Sequence, residues 1–309
     1  MTERRTLLLD VFTDTALEGN PLAIVLDCDG LDTATMLRIA GEFNLSETVF
    51  VLPPENPAHA ALIRIFTPHY EMPFAGHPTV GTAVALAAER GVGDGELMVL
   101  EEKIGPVRCV VRRGEGAAFA EFDLPALSEP LDFAPDEAQV ASALGLDVSD
   151  IGFGSHEIGA WSAGVPYVTV PVRGLDAAAR VRFDAEKWMR FAPEKAAGVF
   201  ASAYVYTAET AAAGASFHAR MFVAGTPSYE DPATGSAAAA FMGAVMAHER
   251  PADGLLQVWI EQGLEMGRPS RIRLEIEVAG GVATGARIGG HAVVTGKGVL
   301  FVQGRGAAG

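Results

Sequence analysis

Residues 64–90 read RIFTPHYEMPFAGHPTVGTAVALAAER, and residues 220–250 read RMFVAGTPSYEDPATGSAAAAFMGAVMAHER. Each stretch is an Arg-x-Phe strand, a loop holding a glutamate (Glu71 or Glu230), an X-Pro dipeptide, and an alanine-rich helix that ends at an arginine. Self-similarity at this scale marks a duplicated architecture. The X-Pro dipeptides set Gly76-His77-Pro78 against Glu230-Asp231-Pro232. The flanks repeat as well. Gly19-Asn20-Pro21 leads into the apolar run Leu22–Leu26, as Gly164-Val165-Pro166 leads into Tyr167–Val170. Leu97–Asp123 and Val258–Ile288 each read as strand, glycine (Gly105 or Gly263), strand, turn, strand. A chain of 309 residues has room for two domains of about 150 residues. The parse is therefore two similar lobes, 1–126 and 150–309, joined by the acidic, proline-containing segment 127–149. The last strand is free to return to the first lobe.

Alternation in Arg108–Val111, Phe119–Phe122, Ile272–Val278 and Ala292–Val294 predicts antiparallel strands between turns. Asp32 is placed to cap a helix over Thr33–Phe43, which Asn44 ends before a strand over Thr48–Leu52. The alanine-rich helices, expected over Thr79–Ala88 and Ala233–Ala247, carry no polar stripe. A helix apolar all round is buried on every side, and these are shorter than the ~20 residues that cross a bilayer. The fold class that follows is α+β, each lobe a mostly antiparallel sheet wrapped around one central apolar helix. Proline suits the first helical position, which puts His77 and Asp231 near the N-caps. Aspartate is an ordinary cap and histidine is not. Gly76 and Thr234-Gly235-Ser236 leave the first-turn amides unshielded, and a helix start with bare amides attracts anions.

Charge sets limits on partners. The formal net charge is -16, which repels nucleic-acid phosphates and anionic membrane surfaces. No nucleic-acid and no membrane partner is expected, and an anionic ligand has to be held by local positive features. Hydrophobic residues at 49% and charged residues at 20% exclude a disordered chain. Cys28 and Cys109 form no CxxC pair, and no HExxH or Cys/His cluster occurs, so no metal site is expected. No secretory hydrophobic segment follows Met1-Thr2-Glu3-Arg4-Arg5, and the expected location is the cytoplasm.

Ser46-Glu47-Thr48-Val49-Phe50 puts a carboxylate where a helix gives way to an apolar strand. Glu47 reads in two ways, as a salt-bridging or capping residue, or as an acid/base whose pKa burial tunes for proton transfer. His59, His69, His156, His218, His248 and His291 show no partner pattern and read as structural or surface residues. Arg64 and Arg220 read as strand-end residues paired with loop carboxylates.

Taken together, these segments resemble one family. Asp10-Val11-Phe12-Thr13, Glu18-Gly19-Asn20-Pro21, Asn44–Phe50, Arg64–Pro68, Phe74–Gly81, Glu230–Ala237, and Gln262-Gly263 with Gly267–Ser270 are similar to the phenazine-biosynthesis PhzF-like proteins. The resemblance implies a diaminopimelate-epimerase-like fold with an active site between two lobes. It implies a cofactor-free isomerase in which Glu47 is the general acid/base, moving a proton between carbons of a cyclic or unsaturated acid. His77 and Asp231 are then the companion catalytic residues. Ser46, Gly76, Thr234, Gly235 and Ser236 line the substrate site, with Asn20 beside them, and the protein is a homodimer. Thiol-dependent epimerases of this fold place a cysteine at each central-helix start, and here neither Cys28 nor Cys109 lies near one. Two other readings stay open: an epimerase or dehydratase of an amino or hydroxy acid using Glu47 and Asp231, and a ligand-binding protein without chemistry.

Overall fold

A computed structural model describes residues 2–302 apart from positions 92, 115, 197, 198 and 226. In chain order the elements begin with β1 (Thr2–Val11), β2 (Asn20–Val25), α1 (Thr33–Phe43), β3 (Glu47–Leu52), β4 (Ala61–Phe66) and β5 (Glu71–Met72). They continue with α2 (Gly76–Arg90), β6 (Glu96–Glu102), β7 (Gly105–Arg112), β8 (Ala118–Asp123), β9 (Glu129–Pro130) and α3 (Glu137–Leu144). Next come β10 (Gly159–Ser162), β11 (Pro166–Pro171), α4 (Leu175–Arg180), α5 (Ala185–Trp188), β12 (Glu194–Ala196) and β13 (Val199–Phe200). The chain ends through β14 (Ser202–Thr207), β15 (Phe217–Phe222), β16 (Glu230–Asp231), α6 (Gly235–Glu249), β17 (Gly254–Gln262), β18 (Ser270–Ala279) and β19 (Val282–Val302). The α+β class and the two similar halves follow from this order. No helix among the described residues is long and apolar enough to cross a membrane.

Two compact units emerge. One comprises Met1–Phe122 and the chain from Gly289 onward; the other comprises Asp123–Ile288. Residues 127–149 lie within the second unit, where α3 buries Val140, Ala141, Ala143 and Leu144 in a cluster with Val168, Val170 and Trp188. The end of β19 pairs with β1 in the first unit, Val11 facing Ala292 and Thr2 facing Val302.

In the first unit the sheet wraps α2. Its residues from Gly76 to Ala87 are all buried, as the missing polar stripe requires. A Cβ on Gly81 would lie 2.6 Å from Leu22 and 2.8 Å from Val11, so only glycine lets the helix approach β1 and β2 this closely. Packing of this kind is the main stabilising contribution, with a fully buried Leu or Val worth about 1.5–3 kcal/mol. On α1, Asp32 accepts the Thr35 amide at 2.7 Å, and Asn44 ends the helix in the left-handed region at φ 50. In the second unit, α6 buries Ala237–Val245, and Phe241 sits among the rings of Tyr204, Tyr206 and Phe217 at 4.6–5.5 Å.

Register makes the duplication exact to the residue. Phe66 faces Glu71 across β4 and β5, and Phe222 faces Glu230 across β15 and β16. Arg64 clamps Glu71 with two bonds of 2.7 and 2.8 Å, and Arg220 clamps Glu230 with two of 2.8 Å. Both guanidinium groups lie over the phenylalanine two residues on, at 5.1 and 4.9 Å. Glu101 on β6 accepts the amides of Glu55 and Asn56 at 2.7 and 2.8 Å. Glu261 on β17 accepts those of Ala211 and Ala212 at the same distances. His218 bridges Glu261 and Glu265 at 3.0 Å each, a structural role; burial opposes its charge, but the two carboxylates outweigh burial and hold its pKa above the ordinary value.

The same register corrects the alignment of the repeat. Glu71-Met72-Pro73-Phe74-Ala75-Gly76-His77 matches Glu230-Asp231-Pro232-Ala233-Thr234-Gly235-Ser236 without a gap. Pro232 therefore corresponds to Pro73, not to Pro78. The helices start at Gly76 and Gly235, not at Thr79 and Ala233. Pro78 sits third in α2, where its missing N–H costs nothing because the first four amides have no intrahelical acceptor. Asp231 is no N-cap. It pairs with Met221 in β16, and Pro232-Ala233 carry the chain onward to the cap, Thr234.

A Cβ added to Gly243 on α6 would lie 2.2 Å from Cε3 and 2.6 Å from Cδ2 of Trp161. Gly243→Ala is expected to cost about 1–3 kcal/mol, read from the urea midpoint. Gly116→Ala, with nothing within 4 Å of the new carbon, is expected to stay within about 0.5 kcal/mol of the parent.

Candidate active site

Strands β2 and β3 run parallel, with Leu22 facing Glu47. That register sets Asn20 and Ser46 at the end of the sheet where β2 and β3 begin. The first turn of α2 supplies Gly76 and His77, and the cap, Ala75, offers no side-chain hydrogen bond. Glu47 Oε2 lies 3.4 Å from His77 Nε2, with the glutamate side chain 14% exposed and the imidazole 5% exposed. Asn20 is fully buried. The first unit thus gathers Asn20, Ser46, Glu47, Gly76 and His77, five of the residues singled out from sequence.

Two effects compete at His77. The Glu47 carboxylate favours an imidazolium, while enclosure favours the neutral ring. Enclosure wins and draws the His77 pKa down to about 3, because the 3.4 Å contact is too long for a well-formed hydrogen bond. A neutral imidazole keeps one donor and one acceptor nitrogen. Tyr70, in the turn before β5, feels the same carboxylate: burial first, then the Glu47 charge, raises its phenol pKa.

The second unit gathers Asp231, Thr234, Gly235 and Ser236. Asp231 is 6% exposed, and its carboxylate accepts a short hydrogen bond from the Thr234 hydroxyl. Gln262, at the end of β17, donates to the Asp231 carbonyl at 2.8 Å and to Thr234 Oγ1 at 3.2 Å. Ser236 Oγ and the Tyr167 hydroxyl are 2.7 Å apart. The cap of α6, like that of α2, makes no side-chain bond to its own first turn. Neither Gln262 nor Tyr167 was singled out as a site residue from sequence. Gln262-Gly263 did stand out as a motif, and the reason is now visible. Gly263 has φ +79, and a Cβ there would lie 2.6 Å from the Pro232 carbonyl oxygen. Among the described residues no group of His, Cys, Asp and Glu converges in a way that would hold a metal ion.

Comparison with known proteins follows the same lines. The model of the phenazine biosynthesis-like protein family, PhzC-PhzF, matches residues 9–298. A Mesorhizobium japonicum protein named as an uncharacterized isomerase is 62% identical over 302 residues, covering 98% of this chain and 100% of that one. Trans-2,3-dihydro-3-hydroxyanthranilate isomerase of Pseudomonas aeruginosa is 35% identical over 307 residues, covering 97% and 98%. Among solved structures, the Bacillus anthracis phenazine biosynthesis protein of the PhzF family superposes with a TM-score of 0.87 at 31% identity, covering 98% and 100%. A hydroxyproline epimerase from Agrobacterium vitis shares the fold, with a TM-score of 0.63 at 14% identity over 96% and 92%.

The His77 ring is expected to stay neutral from about pH 6.5 down to about pH 5, so its imidazole NMR resonances should not move over that range. In the unfolded chain a histidine takes up its proton near 6.5, whereas the folded pKa is about 3. Stability contributed at neutral pH is therefore lost as pH falls below about 6.5, and His77→Gln is expected to lessen the fall in melting temperature between pH 7 and pH 4.

Proposed function

The chain belongs to the phenazine biosynthesis-like (PhzC-PhzF) family, an isomerase family, and from that premise we propose a specific reaction. In this reading the protein is a cofactor-independent isomerase that moves a proton between carbons of a small carboxylated metabolite, cyclic or unsaturated. The observation that carries it is the sheltered Glu47 carboxylate, 3.4 Å from a neutral imidazole at an uncapped helix start.

Glu47 takes the acidic C–H proton as a base and returns it as an acid to another carbon of the conjugated system. His77 positions a hydroxyl or amine of the substrate with whichever function its tautomer presents. The substrate carboxylate is taken by the first-turn amides at Gly235 and Ser236, with the Thr234 and Ser236 hydroxyls. Such local binding is needed because the charge of the whole chain opposes an anion. Asp231 orients an amine or hydroxyl, while Asn20, Ser46 and Gly76 border Glu47. One well-placed proton-transfer group supplies about 10²–10⁴-fold, leaving the rest to preorganised donors. The reading includes a cytoplasmic homodimer.

Register argues against a pair of bases related by the duplication. The position equivalent to Glu47 is Ser202, because Leu22 faces Glu47 as Tyr167 faces Ser202. A second pairing agrees, with Thr48 facing Phe66 as Ala203 faces Phe222. The position equivalent to Asp231 is Met72. An epimerase with matched bases on its two halves finds no such match here.

Trans-2,3-dihydro-3-hydroxyanthranilate, named for the Pseudomonas relatives, is the first acid to assay. Glu47→Gln is expected to lower kcat by at least about 10²-fold while leaving the urea midpoint unchanged. Run in D2O, the parent enzyme should place deuterium on the carbon that gains the proton. Asp231→Asn is expected to lower kcat/KM on the same acid. Undiminished turnover by the Glu47 variant sinks the assignment.

A further inference from the structure

Beneath the start of α2 lies an acid that the proposed chemistry does not use. Glu102, the last residue of β6, is 5% exposed. Its Oε1 is 2.7 Å from the Thr79 hydroxyl, and that hydroxyl is in turn 2.7 Å from the carbonyl oxygen of Ala75, the cap of α2. A hydroxyl has one proton, so it cannot serve both neighbours as donor. If Thr79 gave its proton to Glu102, two bare oxygens would face each other at 2.7 Å in a dry interior. The arrangement is satisfied only when Thr79 donates to Ala75 and Glu102 donates to Thr79. Glu102 must then carry a proton.

The second half of the chain supports this independently. Ala61 and Leu62 on β4 face Leu100 and Glu101 on β6; Phe217 and His218 on β15 face Ile260 and Glu261 on β17. With Arg64 equivalent to Arg220, Glu102 occupies the position of Gln262. Gln262 donates to the Thr234 hydroxyl, which donates to Asp231. Each half therefore runs a hydrogen bond from the equivalent sheet residue to a threonine near the helix start and on to an acceptor just before it, although the two threonines are not equivalent, Thr234 answering in register to Ala75. The two relays differ also in their first donor. An amide donates at every pH, and a carboxyl group donates only while protonated.

We propose that Glu102 is a positioning residue of the active site, an uncharged acid whose proton braces the start of α2 and whose ionisation releases that brace. The geometry is supported by its surroundings. Burial pushes the Glu102 pKa up to about 8, the Thr79 bond pulls slightly the other way, and no charged side chain contributes. On α2 it meets Thr79. Thr82, one turn further along, is buried with its own hydroxyl unpartnered. Gly105 faces Glu102 across β7, and Ala61 and Leu62 run alongside in β4; none of these carries a charge. The residues that the brace holds in register are Ala75, Gly76 and His77, so its bearing on turnover rests on the function proposed above. Its measurements do not.

Three readings on the full-length protein without ligand test it. Infrared difference spectra between the parent and Glu102→Gln should show the C=O stretch of a protonated carboxylic acid at pH 7, fading as pH passes about 8. The folded pKa lies above the ordinary 4.5, so the fold keeps the proton longer than the unfolded chain does. The stability that Glu102 contributes should therefore be lost as pH rises from about 4.5 towards 8, so the melting temperature of the parent relative to Glu102→Gln, which copies the second half, should fall over that range. The His77 imidazole resonance, identified by its loss in His77→Asn, should shift as pH passes about 8 in the parent and stay fixed in Glu102→Gln. Should Glu102→Gln fail to fold, Thr79→Val cuts the same relay and should likewise uncouple His77 from alkaline pH. Absence of the carboxylic acid band at pH 7 overturns the proposal. So does a His77 resonance that ignores the ionisation of Glu102. An inactive Glu47→Gln alongside these positive signals leaves both readings standing. An active one removes the reaction and leaves the brace.

Discussion

A helix buried on every side cannot hand its first amides to water. Four N–H groups at each helix start lack an intrahelical partner, and in α2 and α6 neither cap makes a side-chain bond that answers them. The surrounding sheet must supply what solvent would otherwise supply, or leave a place for a ligand that does. Most of what is polar near these helices follows from that constraint. Glu47 reaches the first turn of α2 from β3, and Gln262 reaches the cap of α6 from the end of β17. An anion-seeking helix start held in an apolar shell is costly unless it serves something, which is the ground on which a site is proposed here.

Holding such a start in place calls for rigid connections, and the chain uses arginine for this twice. Arg64 and Arg220 bind their glutamates with paired charge-assisted bonds, the geometry that a planar guanidinium favours. In each unit the clamped glutamate stands five residues ahead of the first helical glycine. The link is short enough that fixing its beginning fixes its end. Glu71 is held low in pKa by the Arg64 hydrogen bond, against burial, so the clamp stays ionic across the physiological range.

Much of this was readable from residues alone, and what escaped did so for definable reasons. The Asp32 cap, the Asn44 stop, the two Arg–Glu pairs and the buried alanine-rich helices are local or periodic features that sequence carries openly. The helix starts were misplaced because an X-Pro dipeptide fits both a strand-to-helix link and the third position of a helix. Pro73 and Pro78 are both present in the first repeat and only one has a counterpart. The clamped glutamates, not the prolines, fix the alignment. The shelter around Glu47 and the relay at Glu102 depend on which strands pair and in what register. No spacing along the chain encodes that when the partners lie on separate strands.

Once the alignment is fixed by register, the two halves differ in a consistent way. Glu47 answers to Ser202, His77 to Ser236, Asp231 to Met72 and Glu102 to Gln262. At each of these four positions one half holds an ionisable group and the other holds none. Ser202 is also engaged elsewhere, since its Oγ accepts the Ala224 amide at 3.1 Å. A duplicated frame offers an easy route to paired bases, one per half, and this chain does not take it. These four ionisable groups are each placed once, so their surroundings differ from one to the next: enclosure keeps His77 neutral, while Asp231 accepts a hydrogen bond from the Thr234 hydroxyl. The proposed carbon-to-carbon proton transfer by Glu47 would draw on that difference, because a single carboxyl group acting as base and then as acid needs neighbours that keep their own charge.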